Sequence, residues 1–189
     1  MTDQTIARFV RRDCNCAVES GTFHGETTRL LASFPNFEEI HTVELAPPLY
    51  EAARARFDAD GRIHCWLGDS GERFEEIFRE LERYVRDPRV LVYCDGHYSG
   101  GETARGAVAS PLHAELETLV RYRHLVKAVL IDDIAVSLGL DHPDADPLYT
   151  EGFPPLDEIH AYLARINPDF EIAIDHEARP LSILVANAA

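Results

Sequence analysis

The stretch that most constrains the fold of this chain is residues 17–28, Ala-Val-Glu-Ser-Gly-Thr-Phe-His-Gly-Glu-Thr-Thr. A short apolar run ends in Glu19, two glycines follow, and apolar residues then recur at helical spacing until Pro35. Glycine allows tight turns and close approach of the backbone to a ligand, and a helix amino terminus adds partial positive charge. The pattern therefore predicts a strand, a glycine turn that holds a ligand, and a helix.

A second acid, Glu44, ends the next apolar run, roughly 20 residues beyond the turn, where nucleotide-binding folds place the acid that binds a ribose diol. The turn reads Gly-x-x-x-Gly, which differs from the dinucleotide pattern Gly-x-Gly-x-x-Gly. Two plainer interpretations stay open. The glycines would also serve a simple strand-to-helix turn, and Glu44 would also cap the following helix.

Apolar runs alternate with helical repeats along the whole chain. Runs at 15–19, 40–45, 62–67, 90–94 and 128–131 predict parallel strands, and runs at 170–175 and 181–186 predict a terminal antiparallel pair. A short amphipathic helix is predicted at 3–12, and the proline-rich residues 139–155 predict a loop or lid. The alternation predicts an α/β fold, a doubly wound, mostly parallel seven-stranded sheet with a reversed last strand, in a single domain spanning residues 1–189.

Polar residues follow each of the five predicted parallel strands. Since ligands of doubly wound sheets bind beyond the carboxyl ends of the strands, these residues predict one site. The set is Glu19, Glu44, Asp69 with Ser70, Asp95 with His97, and Asp132 with Asp133. An imidazole takes up a proton near neutral pH, so His97 is the candidate general base; a structural histidine or a neighbour of the ligand is the alternative. Asp69 and Asp132-Asp133 would also serve as helix caps or turns.

The charge balance is strongly acidic, with 33 Asp and Glu against 18 Lys and Arg and a formal net charge of −15. That charge argues against nucleic-acid and anionic-membrane partners. No apolar run has the length of a signal peptide or a membrane span, so a cytoplasmic protein is expected. The four cysteines, Cys14, Cys16, Cys65 and Cys94, are expected to be structural, because Cys14 and Cys16 have no second ligand pair for zinc.

The order of strands and end residues resembles that of the class I S-adenosylmethionine-dependent methyltransferases, over residues 14–187. The resemblance implies S-adenosylmethionine as cofactor, with its methionine part at the first turn, its ribose at Glu44 and its adenine beside Asp69 and Ser70. The implied cofactor-binding residues are Glu19, Gly21, Phe23, Gly25, Thr27, Glu44, Asp69, Ser70 and Asp95.

A narrower resemblance is to the divalent-metal-dependent O-methyltransferases of the catechol and macrocin types. It implies that Asp95, Asp132 and Asp133 bind Mg²⁺, that Asp95 and His97 are catalytic, and that the acceptor is a small molecule bearing a hydroxyl. Three neighbouring carboxylates would repel one another, and a hard divalent cation relieves that repulsion. In the sugar enzymes of this type the histidine lies three residues after the acid, whereas here His97 lies two residues after Asp95 and Tyr98 is third.

Other functions stay open at this point. A non-catalytic module would keep the fold and bind the cofactor or a nucleotide, and a metal-dependent hydrolase would use the same acids with phosphate at the glycine turn. A nicotinamide-dependent oxidoreductase is disfavoured by the glycine spacing. The acceptor and the oligomeric state are left open, with a homodimer as one option.

Overall fold

The computed structural model describes residues 10, 13–135, 137, 147–175 and 183–188. The helix predicted at 3–12, apart from Val10, lies outside the described residues, as does the turn at Arg179-Pro180. Across the described residues, no helix has both the length and the apolar character that crossing a membrane requires.

Seven strands alternate with six helices in the described residues. The strands are β1 (Cys16–Ser20), β2 (Glu39–Glu44), β3 (Ile63–Leu67), β4 (Val90–Cys94), β5 (Val126–Ile131), β6 (Phe170–Asp175) and β7 (Ile183–Ala188). The helices are α1 (Glu26–Ala32), α2 (Pro47–Phe57), α3 (Ser70–Tyr84), α4 (Leu112–Arg121), α5 (Pro147–Thr150) and α6 (Leu156–Ile166).

The strands form one sheet in the order β3-β2-β1-β4-β5-β7-β6. Strands β1 to β5 pair in parallel, and β7 runs antiparallel to both of its neighbours. The predicted doubly wound sheet with a reversed last strand is therefore confirmed. The chain leaves β1 toward one edge and returns to β4 on the other side, which opens a crevice between the carboxyl ends of these two strands.

The sheet is covered by apolar clusters on both faces. Phe74, Leu116 and Ile159 belong to the cluster beneath α3, α4 and α6, and Leu31 and Phe37 belong to the cluster on the other face. Every residue of β1 and β4 is buried, as expected for central parallel strands. The two central strands are thus rigid supports for the residues that follow them.

The cysteines are all free thiols, as the sequence predicts for a structural role. Cys14 and Cys16 pack in different clusters on opposite faces of the sheet, so they do not form one half of a zinc site. Cys65, which was expected to be buried, is only half-buried because β3 is an edge strand.

Two predicted boundaries are wrong. Helix α1 ends at Ala32, so Phe34 lies beyond it. Arg62, the residue before β3, donates to the carbonyl oxygen of Ala32 at 3.0 Å and so satisfies the end of the helix. The short helix α5 lies within residues predicted as a loop. Its residue Tyr149 stacks on Tyr98, with ring centroids 5.4 Å apart, and a contact between residues so distant in sequence gives no local signal.

Gly21 joins the ends of β1 and β4. Its φ is +78°, and a Cβ there would overlap the carbonyl oxygen of Asp95 and lie 2.8 Å from the carbonyl carbon. The Gly21 amide donates to the carbonyl of Val43 in β2 at 3.0 Å. The turn after β1 therefore packs directly on the first residue after β4, and only glycine fits between them.

We predict that Gly21→Ala lowers the free energy of unfolding by more than about 3 kcal/mol, because it adds both a steric overlap and left-handed strain. Gly101→Ala is the matched control. Gly101 also has a positive φ, +61°, but open space around its Cβ position. It should lose only about 1 kcal/mol. Urea unfolding of the wild type and the two variants measures both losses. Equal losses in the two variants would contradict the close approach of Gly21 to Asp95.

Candidate active site

A cleft of about 780 Å³, counting its open mouth, lies between the carboxyl ends of β1, β2 and β3 and the loop 96–111. We call this loop the roof loop. Residues of the predicted site that line the cleft are Gly21, Phe23, Glu44, Asp69, Ser70, Asp95 and His97. Residues that follow four separate strands thus share one cavity, and those after β2, β3 and β4 are polar or charged.

Glu44 is buried where the cleft meets the β1 turn. Its Oε2 accepts from the amide of Phe23, and its Oε1 accepts from the amide of Ala46, both at 2.8 Å. The carboxylate therefore ties the turn to Ala46, the residue before α2. The helix itself has no side-chain cap, because Pro47 and Pro48 at its start have no N–H to offer. Each carboxylate oxygen has a second acceptor position, so Glu44 keeps capacity for a ligand hydroxyl.

Asp69 and Ser70 form the opposite wall of the cleft. Asp69 caps α3, because its Oδ1 accepts from the Gly71 amide at 2.9 Å, as the alternative interpretation proposed. Its Oδ2 faces Gly106 of the roof loop, where a Cβ would come within 2.8 Å. The Ser70 hydroxyl is committed to the interior, where it donates to Glu115 at 2.6 Å.

Glu19 does not line the cleft and has no exposed surface. Its Oε2 accepts from Thr28 at 2.5 Å and from Thr42 at 2.7 Å, so it joins α1 and β2 to β1 beneath the turn. Its Oε1 has no hydrogen-bond partner among the described residues. Burial raises the pKa of Glu19 from 4.5 to about 7. Gly25 and Thr27, at the start of α1, also lie off the cleft lining, so direct cofactor contact by these three residues stays a prediction.

His97 connects the carboxylates that follow β4 and β5. Its Nε2 lies 2.5 Å from Asp133 Oδ2, and its Nδ1 lies 3.5 Å from Asp95 Oδ1. Burial alone would lower the pKa of His97, but the hydrogen bond and charge of Asp133, together with Asp95, outweigh burial and raise it to about 9. At neutral pH the ring is therefore an imidazolium held between two acids.

Tyr93, the fourth residue of β4, joins two of the acids. Its hydroxyl donates to Asp132 at 2.8 Å and lies 3.2 Å from Asp95 Oδ2. Burial, followed by the charge of Asp132, raises the pKa of Asp95 well above its usual range. Burial, followed by Asp133, raises the pKa of Asp132 to about 6. These groups carry more negative charge than His97 can balance.

Asp95, His97 and Asp133 place one donor atom each within 4.8 Å of one another, a spacing that one metal ion can bridge. The predicted metal triad was Asp95, Asp132 and Asp133. In the structure His97 enters the group, while Asp132 faces Tyr93 and accepts from the Asp133 amide at 2.9 Å. Carboxylates suit Mg²⁺ and Mn²⁺, and an imidazole nitrogen extends the range to softer divalent ions.

Glu39, His41 and His64 form a second group of neighbouring metal-ligand atoms, on β2 and β3. Trp66 donates to His41 Nδ1 at 3.0 Å, so the neutral ring carries its proton on Nε2, the nitrogen that faces Glu39. Burial lowers the pKa of His41 to about 3, which keeps the ring neutral. A metal at Nε2 would force this proton onto Nδ1, where it would meet the Trp66 N–H, so we assign this group a structural role at the sheet edge.

Glu115 is the residue that the sequence analysis missed. It lies on α4 with 1% of its surface exposed, and it accepts hydrogen bonds from Ser70, Ser20 and Cys94. The Ser20 oxygen in turn accepts from the Asp95 amide at 3.1 Å. Glu115 therefore connects the ends of β1 and β4 with the start of α3. The sequence did contain one sign of this role, because Glu115 lies three residues after Leu112, among residues whose apolar positions recur at helical spacing.

A second segment, residues 147–155, braces the roof loop, and we call it the strap. Phe153 packs near His97 with ring centroids 5.7 Å apart, and Tyr149 stacks on Tyr98. Arg105 of the roof loop forms an ion pair with Glu151, whose carbonyl accepts from the Ser110 amide at 2.9 Å. The two segments that follow β4 and β5 therefore meet above the His97 end of the cleft.

The sequence matches no protein-family model and no curated protein. Among solved structures, a Staphylococcus aureus protein assigned as a caffeoyl-CoA O-methyltransferase superposes with a TM-score of 0.60 at 14% identity, over 99% of this chain and 80% of that one. A Clostridium thermocellum protein assigned as an rRNA methylase gives 0.57 at 13% identity, over 99% and 95%.

Human N-acetylserotonin methyltransferase in complex with S-adenosylmethionine also superposes, with a TM-score of 0.57 at 11% identity. That match covers 99% of this chain and 51% of the human protein, so the chain spans about half of that relative's length. The chain has the fold of the class I S-adenosylmethionine-dependent methyltransferases, as the resemblance implied. At these sequence identities the similarity establishes the fold alone. The names of the matched proteins point to different methyl acceptors.

We predict that Glu19 makes stability depend on pH. Because its pKa is raised on folding, its contribution is complete below pH 4.5 and is lost as the pH rises to about 7. The wild type should lose about 3 kcal/mol of unfolding free energy between pH 4.5 and 8 that Glu19→Gln retains. Exposed Glu80→Gln is the control for removing one charge. If the wild type and Glu19→Gln gave parallel pH profiles, folding would not raise the pKa of Glu19, and the prediction would be wrong.

Proposed function

We propose that this protein transfers a methyl group from S-adenosylmethionine to a hydroxyl of a small molecule, with a divalent cation bound beside the acceptor. The observation that carries the proposal is the single cleft that runs from Glu44 and Asp69 at one end to Asp95 and His97 at the other. The methyltransferase fold adds support. A cofactor with a nucleoside at one end and a reactive group at the other fits such a cleft.

The cofactor end is built from acceptors and one aromatic ring. Glu44 is placed to accept from the ribose hydroxyls, and Asp69 lies on the wall where the adenine would lie. Phe23, with a φ of +48° and 43% of its surface exposed, presents its ring at the mouth of the cleft. The sulfonium of the bound cofactor supplies the methyl group, and the protein supplies binding and orientation.

Asp95 and Asp133, on either side of His97, fit a divalent cation, because they combine a short mutual distance with an excess of negative charge. When bound, Mg²⁺ or Mn²⁺ would lower the pKa of a nearby hydroxyl. The chain's own contribution is proton handling. His97 holds a proton between Asp133 and Asp95; a cation on those carboxylates would lower the pKa of His97, so that the ring could release this proton to solvent and accept the hydroxyl proton.

The rival functions differ in what they bind. A non-catalytic module would bind the cofactor without turnover, and a hydrolase would need a phosphate-binding turn. The Gly21–Gly25 turn does not resemble one, because the Phe23 amide is already committed to Glu44. The amides of Gly21, Thr22 and Gly25 also donate to backbone carbonyls, so residues 21–25 leave no two adjacent amides free for a pyrophosphate, which also disfavours a dinucleotide.

We predict that the wild type binds the demethylated cofactor, S-adenosylhomocysteine, more tightly than NAD or ATP in calorimetric titrations. Glu44→Gln should weaken that binding by at least about tenfold, or about 1.4 kcal/mol, because one carboxylate oxygen becomes a donor. Glu38→Gln, before the start of the same strand, should have no effect. Tighter binding of NAD than of S-adenosylhomocysteine would overturn the proposal.

We predict that one Mn²⁺ or Mg²⁺ binds per chain and that Asp133→Asn weakens this binding by at least about tenfold, since it removes a charged ligand. Asparagine tolerates the left-handed conformation of Asp133, whose φ is +55°. Binding of S-adenosylhomocysteine should stay within about threefold of wild type, and exposed Asp169→Asn should behave as wild type. Unchanged metal affinity in Asp133→Asn would remove the metal from the proposal.

A further inference from the structure

The acceptor must approach the His97 end of the cleft, because the other end is occupied by the cofactor's nucleoside in the proposed function. That end is built by the residues that follow β4 and β5, which are the roof loop, residues 132–135 and the strap. Described residues at 95–111, 132–135 and 147–158 include seven Asp or Glu and one basic residue, Arg105. This inference rests on the proposed function for the location of the acceptor.

The described lining of the cleft contains no lysine or arginine. The same holds for the smaller adjoining cavity, which Glu115, Asp132 and Phe153 help to line. The arginine or lysine closest in sequence to the lining residues is Arg105, and it forms an ion pair with Glu151 of the strap. The basic residues of α4 and β5, such as Arg121 and Lys127, lie toward the opposite ends of those elements.

The site gains no net positive charge when it is loaded. Asp95, Asp132 and Asp133 together bring three carboxylates, which match the two charges of a divalent cation and the one of a protonated His97. A phosphate or carboxylate on the acceptor would lose its hydration without gaining a lysine or arginine partner and without any net positive charge in the site. What the site does offer, besides acids, is aromatic surface. Phe153 lies beside His97, and Tyr98 stacks on Tyr149 just beyond it.

We propose that the acceptor is an uncharged or cationic hydroxyl compound with an apolar face, and that the site rejects anionic acceptors such as phosphate esters, coenzyme A thioesters and nucleic acids. Acids and aromatic rings attract cations and tolerate neutral groups. The ion pair between Arg105 and Glu151 is part of this selection, since it neutralises the one arginine or lysine of the described segments that build this end.

The first test measures the local potential and does not depend on turnover. Trp66→Phe removes the only tryptophan, and Phe153→Trp places a reporter beside His97. We expect caesium to quench this fluorescence at least about twofold better than iodide at constant ionic strength, relative to a free tryptophan amide. Iodide quenching as strong as caesium quenching would overturn the proposal. Tyr98→Trp is the alternative reporter if Phe153→Trp does not fold.

Glu151→Gln tests the role of the ion pair in the same reporter protein. It frees Arg105, so iodide quenching should rise. Glu102→Gln is the matched control, because it removes the same charge from the roof loop but leaves Arg105 paired; Glu102 lies 3.5 Å from His24 instead. An equal rise in both variants would mean that net charge alone, and not the release of Arg105, governs the site.

The second test uses three catechols that differ in charge: dopamine, 4-methylcatechol and 3,4-dihydroxybenzoate. With labelled S-adenosylmethionine and Mn²⁺, methylation of the cationic or neutral compound should exceed that of the carboxylate by at least about tenfold. Preference for the carboxylate would overturn the proposal. If the wild type does not bind S-adenosylhomocysteine, the methyltransferase proposal fails, while the quenching measurements still decide whether this end of the cleft excludes anions.

Discussion

The close approach of Gly21 to Asp95 is the contact on which the rest of the site depends. Two loops after neighbouring parallel strands normally diverge, because each must connect to a helix on one face of the sheet. Here the absence of a side chain at Gly21 lets the turn after β1 rest on the Asp95 carbonyl. The Glu44 end and the His97 end of the cleft are thereby fixed at one distance, as the proposed transfer between two bound groups would require.

Buried carboxylates are the second organising feature, and they fall into two kinds. Glu19 and Glu115 accept hydrogen bonds from hydroxyls and a thiol of neighbouring segments, and burial raises the pKa of each. They connect elements and do not line the larger cleft. Asp95, Asp132 and Asp133 instead crowd around one imidazolium, an arrangement that leaves negative charge unbalanced. Only the second kind would be relieved by the cation of the proposed function, so the two kinds separate the structural part of the rim from the proposed chemical part.

The sequence was sufficient for the sheet, because β1 and β4 are continuous apolar runs and polar residues mark where each strand ends. The sequence was also sufficient to predict that Glu44, Asp69, Asp95 and His97 lie together, since parallel strands end at one edge of the sheet. It could not reveal that Glu19 turns inward or that Tyr93 holds Asp132, because strand periodicity gives a face but not a partner. The contact between Tyr98 and Tyr149 joins residues far apart in the chain and leaves no periodic trace.

The fold alone leaves the acceptor open, since matched structures include proteins assigned to a coenzyme A ester and to ribosomal RNA. Both of those acceptors carry phosphates. Arginine and lysine are common partners of phosphate, and in this chain the one arginine or lysine on the roof loop is held by Glu151. The described segments after β4 and β5 carry acids and aromatic rings at the His97 end of the cleft. If the protein is a methyltransferase as proposed, those segments and not the shared sheet would select the acceptor.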